Sequence, residues 1–89
     1  MNTTNYPIKP IKAQKLNLTE EVTNLYTKSQ PCLLNVVSGT VFLGGKRDIT
    51  ATKDSYILNA GDTIRFFGDI KLSSDENGAD VRVLFYDVV

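Results

Sequence analysis

The sequence, 89 residues long, predicts an all-β fold: a small antiparallel β-sandwich or barrel, jelly-roll-like, of seven or eight short strands with an extended N-terminal arm. Two observations predict it. Short apolar or β-branched runs recur with turn signals between them at a spacing of about 6 to 12 residues, the rhythm of antiparallel sheets. No helix of useful length follows Gly44-Gly45. The length allows one domain with one modest core, and a chain this short buries only about 60–65% of its unfolded surface.

Residues 1–12, MNTTNYPIKPIK, read as an extended arm, with a disordered tail as the equal alternative, set apart from a single domain at 13–89. Pro7-Ile8-Lys9 is repeated at once as Pro10-Ile11-Lys12. Each proline removes a backbone donor and pushes its neighbour toward extended conformation. Tyr6, Ile8 and Ile11 make the arm apolar enough to lie on a partner's surface, either adding a strand to it or resting in a groove. Residues 13–28 admit two readings. Leu18, Val22 and Leu25 have helical spacing, with Asn17 and Glu20 as a capping box. Leu16 and Leu18 also alternate with polar neighbours, and Val22, Thr23 and Tyr26 have strand character. The balance tips toward a strand, a turn at Thr19-Glu20-Glu21 and a second strand.

Cys32 to Val37 is a compact apolar run, and Ser38-Gly39 is a turn signal. Thr40 to Leu43 forms the next run, closed by Gly44-Gly45, and Ile49 to Thr52 is β-branched. Tyr56 to Leu58 leads into the strong turn signature Asn59-Ala60-Gly61-Asp62. Thr63 to Phe67, the turn Gly68-Asp69 and Ile70 to Leu72 follow. SSDENGAD, residues 73–80, reads as a loop, and VRVLFYDVV, from residue 81, as the closing strand.

SGTVFLGGKRD, residues 38–48, approaches a phosphate-binding loop without becoming one. In that loop Lys follows the second glycine directly and Ser or Thr comes next, with a helix behind. Here Gly45 intervenes, Arg47 stands where the hydroxyl belongs, and no helix follows. The stretch is strand and turn.

Ten basic and ten acidic residues cancel, which argues against nucleic-acid binding by bulk charge. The balance is uneven: residues 1–45 carry four Lys against two Glu, and residues 46–89 six basic against eight acidic side chains. The chain has no histidine and one cysteine. That removes the Ser-His-Asp triad, the usual zinc sites and any intrachain disulfide, and leaves Cys32 as a small core hydrophobe. No metal, cofactor or catalytic residue is expected. The aspartates have an adequate explanation as turn residues, and the run from Asp75 to Asp80 has Ala79 where a calcium loop would place an oxygen ligand. No apolar run reaches the roughly 18 residues of a membrane span, and the N-terminus lacks the apolar core of a signal peptide. Synthesis in the cytoplasm and no membrane partner are therefore expected.

The side chains that suggest an interface are apolar. Adjacent strand residues point to opposite faces, so only one of Phe66 and Phe67 enters a core. In the closing strand Val81, Val83 and Phe85 line one face, while Leu84, Tyr86 and Val88 line the other. A strand apolar on both faces is central in its sheet or buried in an assembly. Tyr6, Ile8, Ile11, Phe66, Phe67, Leu84 and Tyr86 are the candidate partner-binding residues, and a homo-oligomer is the expected state.

Val41-Phe42-Leu43-Gly44-Gly45, Ile49-Thr50, Leu58 with Gly61-Asp62, and Val81-Arg82-Val83-Leu84 follow in an order that resembles small β-rich tailed-phage virion proteins over about residues 31–89. The chain departs from that pattern at Lys53-Asp54-Ser55 and in its arm with two Pro-Ile-Lys units. The resemblance implies a non-enzymatic part of a virion, a capsid decoration protein or head-fibre base, made in the host bacterial cytoplasm. Its partner would be the major capsid protein or another virion protein. SGTVFLGG followed by LNAGDTIRF also looks like the start of a cupin, which implies topology alone, because the metal-binding histidines are missing. The alternative function is a small binding module that recognises a glycan or host receptor through the 46–55 and 73–80 loops, with Tyr56 as the nearby aromatic.

Overall fold

The computed structural model describes residues 7–88. Among them the chain forms six strands: β1 (Ile8–Leu18), β2 (Thr23–Tyr26), β3 (Cys32–Gly44), β4 (Tyr56–Asn59), β5 (Thr63–Phe66) and β6 (Asp69–Val88). Every pairing is antiparallel and all belong to one sheet. The sheet is open, in the order β1-β6-β3-β4, with β2 added to β6 and β5 added to β3.

Two long strands organise the rest. β3 and β6 pair with each other from Cys32↔Phe85 to Gly44↔Lys71. Along that central pair each short strand occupies one end. β1 and β5 flank the end that holds Phe85 and Cys32, whereas β2 and β4 flank the end that holds Leu72 and Leu43. The fold therefore has two halves, each four strands wide, and the same two strands run through both.

The halves meet at irregularities in β3, where the register shifts between Val36 and Ser38 and again between Gly39 and Val41. Extra residues of this kind bend a strand and increase its twist. Cys32, Leu34 and Val36 point inward, and the next inward residue of β3 is Val41. That step is odd in number, so plain alternation would have turned Val41 outward. Gly39 adopts φ +88°, and a Cβ placed on it would lie 2.4 Å from the carbonyl oxygen of Gly78. Only glycine allows β3 and β6 to approach this closely.

One core serves both halves. Leu34, Val36, Val81 and Val83 from one, and Val41, Leu58, Ile70 and Leu72 from the other, fall in a single buried cluster. The loop between β3 and β4 lies over the outer face of the second half, where Ser73 Oγ donates to the carbonyl of Ala51 at 2.6 Å and both residues are buried.

Several expectations change. Ser38-Gly39 is not a turn, because β3 runs through it. SSDENGAD is not a loop, because residues 73–80 belong to β6. Ile49 to Thr52 is not a strand, and Ile49 is 93% exposed. Seven or eight strands thus become six, and the sheet does not close into a barrel. Residues 13–28 resolve as strand, turn and strand, with β1 ending at Leu18 and β2 starting at Thr23. The arm boundary also moves. Residues 8–12 are extended, but they continue β1 and pair with the chain's own β6, from Ile8↔Val88 to Lys12↔Phe85.

β1 is the longest edge of the sheet, and its composition suits an edge. Lys9, Lys12 and Lys15 are exposed, Pro10 has no donor, and the register shifts at Ile11. Lysines, proline and bulges on an edge strand discourage pairing with another chain.

Candidate functional site: an apolar groove beside Phe67

Three of the candidate residues come together at the end of the first half. Cys32, Phe66 and Phe85 occupy neighbouring positions across β5, β3 and β6, and Phe66 and Phe85 pack against the core. Phe67 takes the opposite side and is 72% exposed. Its position is fixed by the residue behind it. Gly68 has φ +95°, its N–H donates to Thr27 Oγ1 at 2.7 Å, and the Thr27 hydroxyl donates to the Gly68 carbonyl at 2.7 Å. Thr27 is itself buried, so the turn that presents Phe67 is clasped from within.

Tyr86 forms the floor. It is 1% exposed, and its N–H donates to the Pro31 carbonyl at 3.2 Å. The Gln30 side-chain amide donates to the Tyr86 carbonyl and, at 3.3 Å, to Asp87 Oδ1. These bonds hold Gln30-Pro31 against the end of β6. The result is a groove of about 570 Å³ lined by Pro31, Arg65, Phe66, Phe67, Tyr86 and Val88.

The other candidates lie around this groove or away from it. Ile8 is half-buried and pairs with Val88, which lines the groove. Ile11 is exposed at the irregularity of β1. Leu84 is half-buried, two residues from Tyr86 and on the same face of β6. Tyr6 lies outside the described residues. Pro31, Arg65 and Val88 were not among the sequence-derived candidates. Val88 shares the face of Leu84 and Tyr86, and that alternation could have found it, whereas Pro31 gave only the signal of a strand start.

A second hollow, of about 390 Å³, lies under the loop between β3 and β4. Phe42, Ala51 to Lys53, Ser73 to Glu76 and Glu20 line it. Its carboxylates are not gathered into a metal site: among the described residues no group of three His, Cys, Asp or Glu could hold an ion. Asp75 Oδ1 accepts from the Asn77 N–H at 3.0 Å. Elsewhere Asp48 accepts from the Gly45 N–H and Asp62 from the Asn59 N–H, each at 2.7 Å. These are turn-forming bonds. Burial pushes the Cys32 thiol above its usual pKa, partly opposed by a hydrogen bond with the Thr27 side chain. A thiol held in its neutral form is a poor nucleophile.

Comparison with known proteins gives no match, whether to protein-family models, curated proteins or solved structures.

Proposed function

We propose that the chain is a non-enzymatic structural protein of a tailed-phage virion, a capsid decoration protein or head-fibre base. It docks on the major capsid protein or another virion protein through the groove beside Phe67. The observation that carries the docking is the placement of Phe66, Phe67 and Tyr86 around one apolar groove, with Phe67 72% exposed. Exposed aromatic rings next to a desolvated pocket are the usual anchors of protein interfaces. The virion is supplied by the resemblance in turn and strand grammar over residues 31–89. The finer fold reading, a small jelly-roll-like sandwich, rests on two sheet halves sharing one core.

The docking surface differs from the one the sequence suggested. Residues 8–12 are engaged with β6, so the strand face replaces the arm as the contact. Self-assembly into a homo-oligomer belongs to this reading but has less support, because the second apolar face of the closing strand is partly covered within the chain by the burial of Tyr86. Balanced charge and the absence of histidine support a role without nucleic acid, membrane or cofactor. Localisation would be the virion, after synthesis in the host bacterial cytoplasm.

The test is incorporation. Virions assembled in cells that express the chain should retain it through gradient purification, and Phe67→Ser should remove it. Purified virions that lack the wild-type chain would sink the reading. One observation favours the alternative of a glycan- or receptor-binding module: Tyr56 is 65% exposed where β4 follows the 46–55 loop. The 73–80 segment gives it no second loop, since that segment is strand. Binding to a glycan array that is abolished by Tyr56→Ala would favour this module over the virion role.

A further inference from the structure

Asn77 is the one asparagine of the chain that is followed by glycine; every other precedes a residue with a Cβ. A Cβ on the following residue crowds its main-chain nitrogen against the asparagine side chain, and glycine removes that crowding.

β6 runs through this point, but its ladder does not. β3 pairs with β6 at Gly39↔Ala79 and next at Val41↔Ser74. Thr40 alone therefore stands opposite residues 75–78. β1 stops at Leu18↔Ala79 and β2 at Thr23↔Leu72, so neither pairs with that stretch. Residues 75–78 bulge out of the sheet, with Asn77 exposed and Gly78 at φ +78°. Beside them lies a hollow of about 290 Å³ whose lining includes Asn17, Ser38, Asn77 and Asp80. It is polar and has room for several waters.

We infer that Asn77-Gly78 is a site of spontaneous deamidation, with water as the co-reactant. The Gly78 main-chain nitrogen attacks Asn77 Cγ. The Cγ–Nδ2 bond breaks, and ammonia leaves with the proton that the Gly78 nitrogen gives up. A cyclic imide remains, and water opens it at one of its two carbonyls. Opening at Cγ yields aspartate. Opening at the main-chain carbonyl yields isoaspartate, in which the main chain runs through Cβ and Cγ. Either way one water is consumed, one ammonia is released and nothing is oxidised or reduced. This chemistry needs neither the groove nor the partner proposed above.

The isoaspartate product acts on the junction of the two halves. Gly39 accommodates the Gly78 carbonyl only because it lacks a Cβ, which would lie 2.4 Å from that oxygen. An added main-chain carbon immediately before Gly78 displaces this carbonyl and loosens the approach of β3 to β6.

The test ages the full chain in warm, mildly alkaline buffer and follows each asparagine by peptide mapping with mass spectrometry. The free peptide Asp-Glu-Asn-Gly-Ala-Asp is aged in parallel as reference. Asn77 should be the first asparagine lost, with isoaspartate as the larger product, read by methyl transfer from an isoaspartyl methyltransferase. Asn77→Gln should release much less ammonia over the same period, because its longer side chain closes a less favourable ring. The aged chain should unfold at a lower urea concentration than fresh protein. Asn77→Asp, which adds the same charge to an unaltered main chain, should stay close to the fresh midpoint. Survival of Asn77 while the free peptide converts would overturn the site, since the fold would then hold the reacting groups apart. Earlier loss of another asparagine, or undiminished ammonia release from Asn77→Gln, would do the same. An aged chain rich in isoaspartate that keeps the fresh midpoint would overturn the loosening of the junction.

Discussion

Gly39 and Thr27 show how single residues hold this fold in place. A side chain at Gly39 would meet the Gly78 carbonyl at 2.4 Å and Ala79 at 2.8 Å, both backbone atoms that cannot swing away, on a backbone already at φ +88°. Gly39→Ala should therefore destabilise the protein by about 2–4 kcal/mol, combining backbone strain with overpacking. A fall in the urea midpoint at unchanged slope would show it, and an unchanged midpoint would mean that the close approach of β3 and β6 is dispensable. Thr27 acts through two hydrogen bonds to one residue, Gly68. Thr27→Val keeps the shape and loses both, leaving the N–H and carbonyl of half-buried Gly68 without these partners. A cost of about 2–3 kcal/mol is expected, with faster amide exchange at Gly68 than at Val83 in the core.

At the scale of elements, the sequence was legible where apolar runs meet glycine-centred turns. Asn59-Ala60-Gly61-Asp62 is a turn between β4 and β5, closed by the Asp62 N–H donating to the Asn59 carbonyl at 2.9 Å. β3 ends at Gly44, and the strand, turn and strand of residues 13–28 are also present. The long strands were not legible, for a physical reason. A glycine within a strand and a glycine in a turn look alike in sequence, and Gly39 is in a β-bulge. The polar run after Leu72 hid the middle of β6 in a similar way. Ser73 and Ser74 are buried with their hydroxyls bonded to the carbonyls of Ala51 and Asp75. Ile49 to Thr52 failed in the opposite sense, since β-branched residues make a strand only where a neighbour is there to pair. Of the groove, the alternation argument found Phe66, Phe67 and Tyr86 but not the proline that walls it. The lysines of β1 have a reading of their own at this scale. Replacing Lys9, Lys12 and Lys15 together by Thr should leave the monomer folded and make it aggregate, as light scattering at rising concentration would detect. No increase would mean that Pro10 and the irregularity at Ile11 protect the edge without them.

For the whole molecule, the question is whether residues 8–12 belong to the domain. Their pairing with β6 says that they do. Lys12 adds a contact of another kind, its Nζ lying 5.7 Å from the centre of the Phe85 ring. A chain lacking residues 1–12 should therefore unfold at a distinctly lower denaturant concentration, by roughly 2 kcal/mol or more from lost strand pairing and uncovered apolar surface. An independent arm would leave the midpoint where it was. The pairing of Ile8 with Val88 has a mechanical side as well. It sets the two ends of the described chain next to each other on adjacent antiparallel strands. Tension applied at those two points would open β1 from β6 one rung at a time, as a zip opens, so little force would be required. A load entering through the face that carries Phe67 would instead be shared along β3 and β6, which run through both halves. The molecule should yield when pulled by its ends and resist when pulled through that face.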